Sequence, residues 1–253
     1  MSPMKVGGIL FLAANTPRSQ AYAQAFAARG IDLAHVILFD RPGAAQPGKA
    51  DLPNRPDKTT AVPLPDPHIP LTQSLNALTD RVERIEAESV NDPAILAAVR
   101  SAAADLVIYS GYGGQLVSAE LLSLGPPFLH AHSGWLPDYR GSTTIYYSLV
   151  AGEGCGVSVI EMVPAIDQGP IVARQRYPAP PVGVDIDYFY DSAIRADLMA
   201  EVAAQWQKQG HLEHVETGGV SADYYVVHPL LKHLALLGLK DDRADAAGES
   251  DAD

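Results

Sequence analysis

Residues 126–171 read PPFLHAHSGWLPDYRGSTTIYYSLVAGEGCGVSVIEMVPAIDQGPI, and the fold turns on this stretch. Phe128 and Leu129 open a short apolar strand that then delivers two histidines with one residue between them. Side chains alternate in direction along a strand, so His130 and His132 project to the same face. Pro137 and Gly141 mark a turn-rich segment, after which a helix is predicted over Thr143 to Ala151. A second strand, Val157 to Met162, leads into the loop that carries Asp167 between Ile166 and Gly169. Two imidazoles and a carboxylate on neighbouring loops can transfer protons, hydrogen-bond an oxyanion or ligate a metal.

The chain before this stretch reads as alternating strands and helices. Residues 4–14, MKVGGILFLAA, have the continuous apolar run of a buried strand, and Asn15 to Arg18 that of a turn. Ser19 to Arg29 then has helical spacing, closed by Gly30 as a C-cap, and Ala34 to Asp40 is a second buried strand. This β-α-β start predicts a parallel sheet with a right-handed crossover. The turn at Asn15 carries no G-x-G-x-x-G, so it gives no support to a dinucleotide site. Residues 41–70 hold many of the twenty prolines and read as a long loop, either a surface insertion or a substrate lid. A short strand over Val82 to Ala87 follows, then a helix capped by Asn91 or Asp92 with Pro93 in its first turn. The next strand, Asp105 to Ser110, ends in Gly111 and then Tyr112, Gly113, Gly114, Gln115, Leu116 and Val117. Ligands on open parallel sheets sit beyond the carboxyl ends of strands, and glycines there let a flat ligand approach the backbone. Ser118 then caps a short helix, Ala119 to Ser123.

Past Pro180, Asp187 to Lys208 forms an amphipathic helix with Ile194, Leu198, Val202 and Trp206 at four-residue spacing. The expected fold class is α/β: a Rossmann-like, mostly parallel sheet with helices on both faces, plus a helical C-terminal extension. The expected units are residues 1–180, a helical extension over 181–240, and an acidic tail over 241–253 whose composition cannot support packing.

Over 253 residues the chain is 47% hydrophobic and carries a net charge of −12. It can bury one sizeable core. So acidic a chain is poorly suited to neutralising phosphates, which argues against nucleic acid as a partner. It has no run of apolar residues long enough to span a membrane, and no signal peptide is visible. One cysteine, Cys155, cannot form an internal disulfide, and a cytoplasmic location is expected.

Three blocks in order, HAHSGWLPDYRG, GEGCGVSVIEMV and IDQGPI, resemble the folate-dependent formyltransferases. That family includes the glycinamide ribonucleotide, methionyl-tRNA and sugar-nucleotide N-formyltransferases. Its pattern runs Asn-x-His-x-Ser-Leu-Leu-Pro-x-(Tyr/Phe)-(Arg/Lys)-Gly, then Gly-(Glu/Asp)-x-x-x-Gly-Val-(Thr/Ser), then Asp-x-Gly. The resemblance implies N-formyl transfer from 10-formyltetrahydrofolate to an amine. It assigns catalytic roles to His132 and Asp167 and places His130 where the family has Asn. In the family the Asn and His hydrogen-bond the formyl oxygen, and the Asp carries away the amine's proton.

The resemblance further implies a folate-facing surface from Tyr112, Gly113, Gly114, Gln115, Leu116, Val117, Ile166 and Gly169. Tyr139, Arg140 and Gly141 fall in the loop expected to meet substrate, with Gly134 and Trp135 replacing the usual Ser and Leu. The family's tRNA-formylating members carry a basic C-terminal domain that these residues do not provide, so a small-molecule amine is the expected acceptor. A homodimer is left open, and no resident metal is expected. His130 leaves several chemistries open: a substitute oxyanion donor, a reworked folate-site enzyme such as a formyl-folate hydrolase, a two-His, one-carboxylate metal site, or a silent binding protein.

Overall fold

The computed structural model describes residues 8–43, 51–219 and 221–239. The tail expected over 241–253 lies outside the described residues, as does the start of the first strand before Gly8. Nine strands and seven α-helices are found among the described residues. In chain order the first are β1 (Ile9–Ala14), α1 (Pro17–Ala28), β2 (His35–Asp40), α2 (Leu71–Asn76), β3 (Val82–Glu86), α3 (Pro93–Ala102), β4 (Leu106–Ser110) and α4 (Ala119–Leu122). They are followed by β5 (Phe128–His132), β6 (Arg140–Gly141), α5 (Thr144–Val150), β7 (Cys155–Glu161) and β8 (Ile171–Tyr177). A π-turn at Ile186–Tyr190 then runs into α6 (Asp191–Gln209), and β9 (Asp223–Tyr224) and α7 (Pro229–Leu237) close the described chain.

The main sheet has the order β3-β2-β1-β4-β5-β7-β8. Five strands, β3 through β5, run parallel, while β7 and β8 are antiparallel to their neighbours. This is the mostly parallel α/β sheet the sequence predicts. Strand order reverses between β1 and β4, which opens a crevice at their carboxyl ends.

β1 is buried on both faces, as its unbroken apolar run requires. Ile9, Phe11 and Ala13 pack with α1 and α6; Leu10, Leu12 and Ala14 pack with α3 on the opposite face. Phe11, Tyr22 and Phe26 form an aromatic knot, with Phe11 and Phe26 edge to face at 5.5 Å. Burying each such ring stabilises the fold by about 2 kcal/mol.

α1 begins two residues earlier than the pattern predicts. Thr16 accepts from the Ser19 N–H as N-cap and Pro17 occupies the first turn, which moves Arg18 from a turn into a helix. β8 has no counterpart in the sequence expectations. Its Arg174 and Arg176, two apart on one face, both stack on the Trp135 ring, at 4.3 and 4.5 Å.

Of the long loop at 41–70, the described part is irregular but anchored: Val62 and Leu64 are buried in the core, and Gln24 bonds Asp66 through its main chain. α6 lies in the segment expected as an extension, and its buried face belongs to the same core cluster as β1 and α1. β9 pairs with β6 in parallel, so the chain after residue 220 braces the loop that follows His132.

Candidate active site

β5 carries both histidines to the cleft beyond the carboxyl ends of β4 and β5, as the period of two requires. A cavity of about 260 Å³ there is lined by His130, His132, Asp167, Arg18, Arg195 and Tyr109, among others. All six residues from Tyr112 to Val117 line it, as do Gly141 and Ile166.

The other expected residues fall elsewhere. Gly169 sits under the Glu161 carbonyl, where a Cβ would lie at 1.6 Å. The Tyr139 ring stacks on Tyr224 at 5.2 Å, and Arg140 pairs with Asp223. Of the three residues expected to meet substrate, only Gly141 lines the cleft.

His132 is buried, held through Nε2 and faced by Asp167 at Nδ1. Nε2 lies 2.7 Å from the Tyr139 carbonyl, which can only accept, so Nε2 carries a proton. That leaves Nδ1 facing Asp167 Oδ2 at 3.4 Å, and the same Oδ2 accepts from the Gly141 N–H at 3.1 Å. Burial pulls the His132 pKa below its ordinary value, against the opposing pull of the Asp167 carboxylate. With His132 neutral, no proton lies between Nδ1 and Asp167, and the pair is set to receive one. Asp167 stands at φ +52, a left-handed conformation that Asp and Asn tolerate better than most residues.

Gly134 explains itself in this setting. A Cβ there would lie 2.5 Å from the Tyr139 carbonyl oxygen, 2.6 Å from His132 Nε2 and 2.9 Å from Thr144 Oγ1. Gly134→Ala is therefore expected to lower stability by about 1–3 kcal/mol, through overpacking, and to tilt His132 off its carbonyl. Urea unfolding checks this; an unchanged midpoint would mean that the loop relaxes freely.

His130 presents a different surface. Its Nδ1 is buried without a hydrogen-bond partner, whereas Nε2 is not among the buried unpartnered atoms and faces the cleft. The Tyr109 main chain pulls weakly on the ring, but no hydrogen bond of ordinary length and angle joins them. With no hydrogen bond of ordinary geometry holding a proton on Nδ1, the ring is free to carry it on Nε2, the tautomer that presents an N–H to the cleft. Burial holds the pKa well below its ordinary value, and Arg18, Arg195 and His132 push the same way. His130 is thus neutral at pH 7, and a donor to the cleft when its proton is on Nε2.

Arg18 and Arg195 are the cleft residues the sequence expectations omit. The Arg195 Nε pairs with Asp191 Oδ2 at 2.9 Å, and Nη1 donates to the Ala131 carbonyl. Ser133 Oγ donates to the other Asp191 oxygen. The Arg18 Nη2 donates to the Gly111 carbonyl and its Nε approaches Ser110 Oγ at 3.4 Å. The Thr16-Pro17 cap signal and the Asp191–Arg195 spacing of four were the available clues to these two positions. Among the described residues, no three His, Cys, Asp or Glu side chains are placed to hold a metal ion.

The cleft also has an apolar rim. Leu116 is 61% exposed, Ile166 52% and Val163 37%, all around the same opening. A second cavity of about 720 Å³ adjoins it and shares Tyr112; Asn15, Thr16, Leu52 and Pro67 are among its walls.

Residues 9–194 match the model of the formyl transferase family. This chain belongs to the formyl transferase family. A methionyl-tRNA formyltransferase of Sorangium cellulosum is 28% identical over 180 residues, covering 66% of this chain and 58% of the relative. One from Rhodopirellula baltica is 38% identical over 91 residues, 36% of this chain and 27% of its own. The chain therefore spans less than two thirds of the length of these curated relatives. A sugar N-formyltransferase from a Shewanella species superposes with a TM-score of 0.57 at 14% identity, covering 93% of this chain and 89% of that one. A 4-N formyltransferase from Francisella tularensis gives 0.54 at 12% identity, covering 94% and 90%. At these identities the shared property is the formyl transferase fold. Among the described residues no helix is long and apolar enough to cross a membrane.

Proposed function

We propose that the chain is an N-formyltransferase that moves a formyl group from 10-formyltetrahydrofolate to a small-molecule amine. The observation that carries this reading is the convergence of His130, His132 and Asp167 in one cleft at the strand carboxyl ends. The residues present suit a reduced folate. A Cβ added at Gly113 or Gly114 would meet no atom within 4 Å, so the loop offers bare backbone to a flat ring. Leu116, Val163 and Ile166 leave apolar surface uncovered at the same opening, as a flat heterocycle requires.

When bound, the folate supplies the formyl carbon. The protein's own groups do the rest. Tyr112 to Val117 and the Val163–Asp167 loop hold the ring and exclude water. His130 donates through Nε2–H to the formyl oxygen as negative charge grows there, and a donor aimed in advance needs no reorganisation. Asp167, backed by the unprotonated Nδ1 of His132, would take the proton lost by the attacking amine and return it to the folate nitrogen as the bond from that nitrogen to the formyl carbon breaks. We assign Gly141 to holding Asp167 through its N–H. Tyr139 serves by fixing His132 through its carbonyl, and Arg140 by tying the loop to Asp223.

The direct test incubates the protein with 10-formyltetrahydrofolate labelled in the formyl carbon and a panel of primary amines. Label in an N-formyl product is expected; a folded protein that leaves the donor intact with every amine rejects the proposal. The proton acceptor gives a further expectation. At saturating substrates, kcat should fall only on the acid side, because protonating the pair fills the position it must accept into. The His132 pKa is lowered, so this limb should centre below about pH 6.5, the ordinary imidazole value. A limb centred above pH 7 would assign the proton to another group.

A further inference from the structure

We infer that the cleft holds an anion subsite at Arg18, which binds a carboxylate carried by the acceptor amine. The inference rests on the proposed formyl transfer and adds to it the chemical class of the acceptor.

Arg18 is a half-buried guanidinium, and a cation withdrawn from water even in part is stabilised by an acid beside it. Here none is within ion-pair distance among the described residues; its partners are the Gly111 carbonyl and Ser110 Oγ. Nη1 makes no hydrogen bond among the described residues, yet it is not a buried unpartnered atom, so it is open to the cleft that Arg18 lines. Arg195, the other cleft guanidinium, is matched by Asp191. Asp167, the cleft carboxylate, accepts from the Gly141 N–H and lies beside His132, and it forms no ion pair with Arg18. Arg18 is therefore the cleft guanidinium with no ion-pair partner among the described residues, and its open nitrogen is Nη1. One guanidinium charge balances a singly charged carboxylate, whereas a phosphate dianion would leave excess negative charge beside Asp167. Arg140, the cation that the sequence offers for such a task, is already paired with Asp223.

The position of Arg18 fits an acceptor contact. It follows Asn15, Thr16 and Pro17, which wall the larger adjoining cavity, so it stands where that cavity meets the catalytic cleft. An amine that enters from the larger cavity reaches His130 and Asp167 with its acid group beside Arg18. The structure thus favours an amino acid over an amine whose neighbouring carboxyl is esterified.

The test compares amino acids with their matching amides and with amines bearing a phosphate, at equal free-amine concentration. Formyl transfer should favour the carboxylate over the amide by tenfold or more in kcat/KM, and Arg18→Gln should bring that ratio near unity. Arg18→Lys, which keeps the charge without the fork, should fall between. A group that acted only on the formyl oxygen would slow all acceptors equally and leave the ratio intact. Equal use of acid and amide by an active wild-type protein overturns the inference while formyl transfer stands, and so does preference for the phosphate. If no acceptor is formylated, the proposed function fails, and calorimetry with acetate against acetamide decides the subsite alone. Acetate binding that Arg18→Gln weakens by tenfold or more supports it; acetate and acetamide binding alike, or not at all, overturns it.

Discussion

Asp167→Asn should lower kcat by about a thousandfold, within the span expected when a positioned proton acceptor is removed. The substitution is chosen to spare everything else. Asn matches Asp in shape and tolerates the left-handed backbone at φ +52. Its carboxamide oxygen can still accept from the Gly141 N–H, which Asp167 Oδ2 now does at 3.1 Å. What it cannot do is take a proton from the amine. Folate affinity should stay within about threefold, since the carboxylate contributes little to holding the ring. Rapid-quench kinetics with a saturating amine gives kcat, and calorimetry gives the affinity. Retention of a tenth or more of the wild-type rate would mean that the amine loses its proton to another group or to water.

The sequence made much of this site legible because its signals are local. A period of two placed His130 and His132 on one face, and β5 puts both in the cleft. Asp92 before Pro93 announced α3, and Ser118 announced α4; both caps are made. The glycine-rich exit from β4 marked the cleft wall that all six of its residues form.

What could not be read depends on partners distant in sequence. β8 was obscured by Arg174 and Arg176, whose place on a strand face makes sense only with Trp135 beneath them. Arg140 has the composition of a ligand contact, but Asp223 lies on a segment that returns eighty-odd residues later. Arg195 sits one residue off the apolar stripe of α6, which reads as core packing until β5 is seen beside it. Gly134 likewise looks like a loss relative to the family Ser, although the approach of His132 to within a Cβ's reach demands it.

His130 carries the central claim, that a neutral imidazole here performs the task of a carboxamide. Its Nδ1 is buried without a hydrogen bond of ordinary geometry and its pKa is held well below the ordinary value, so the ring is uncharged and, with its proton on Nε2, offers the cleft one N–H. Losing one oxyanion donor raises the barrier by about 3 kcal/mol, so His130→Ala should be slower by roughly two orders of magnitude. His130→Asn restores an N–H donor at the same strand position and should keep at least a tenth of wild-type activity. An acid, base or metal ligand could not be replaced in this way. The decisive measurement is therefore the single-turnover rate of labelled formyl appearing in the amine, compared between His130→Asn and His130→Ala in folded protein. The account predicts that Asn exceeds Ala by tenfold or more; equal and near-complete loss in both variants would contradict it.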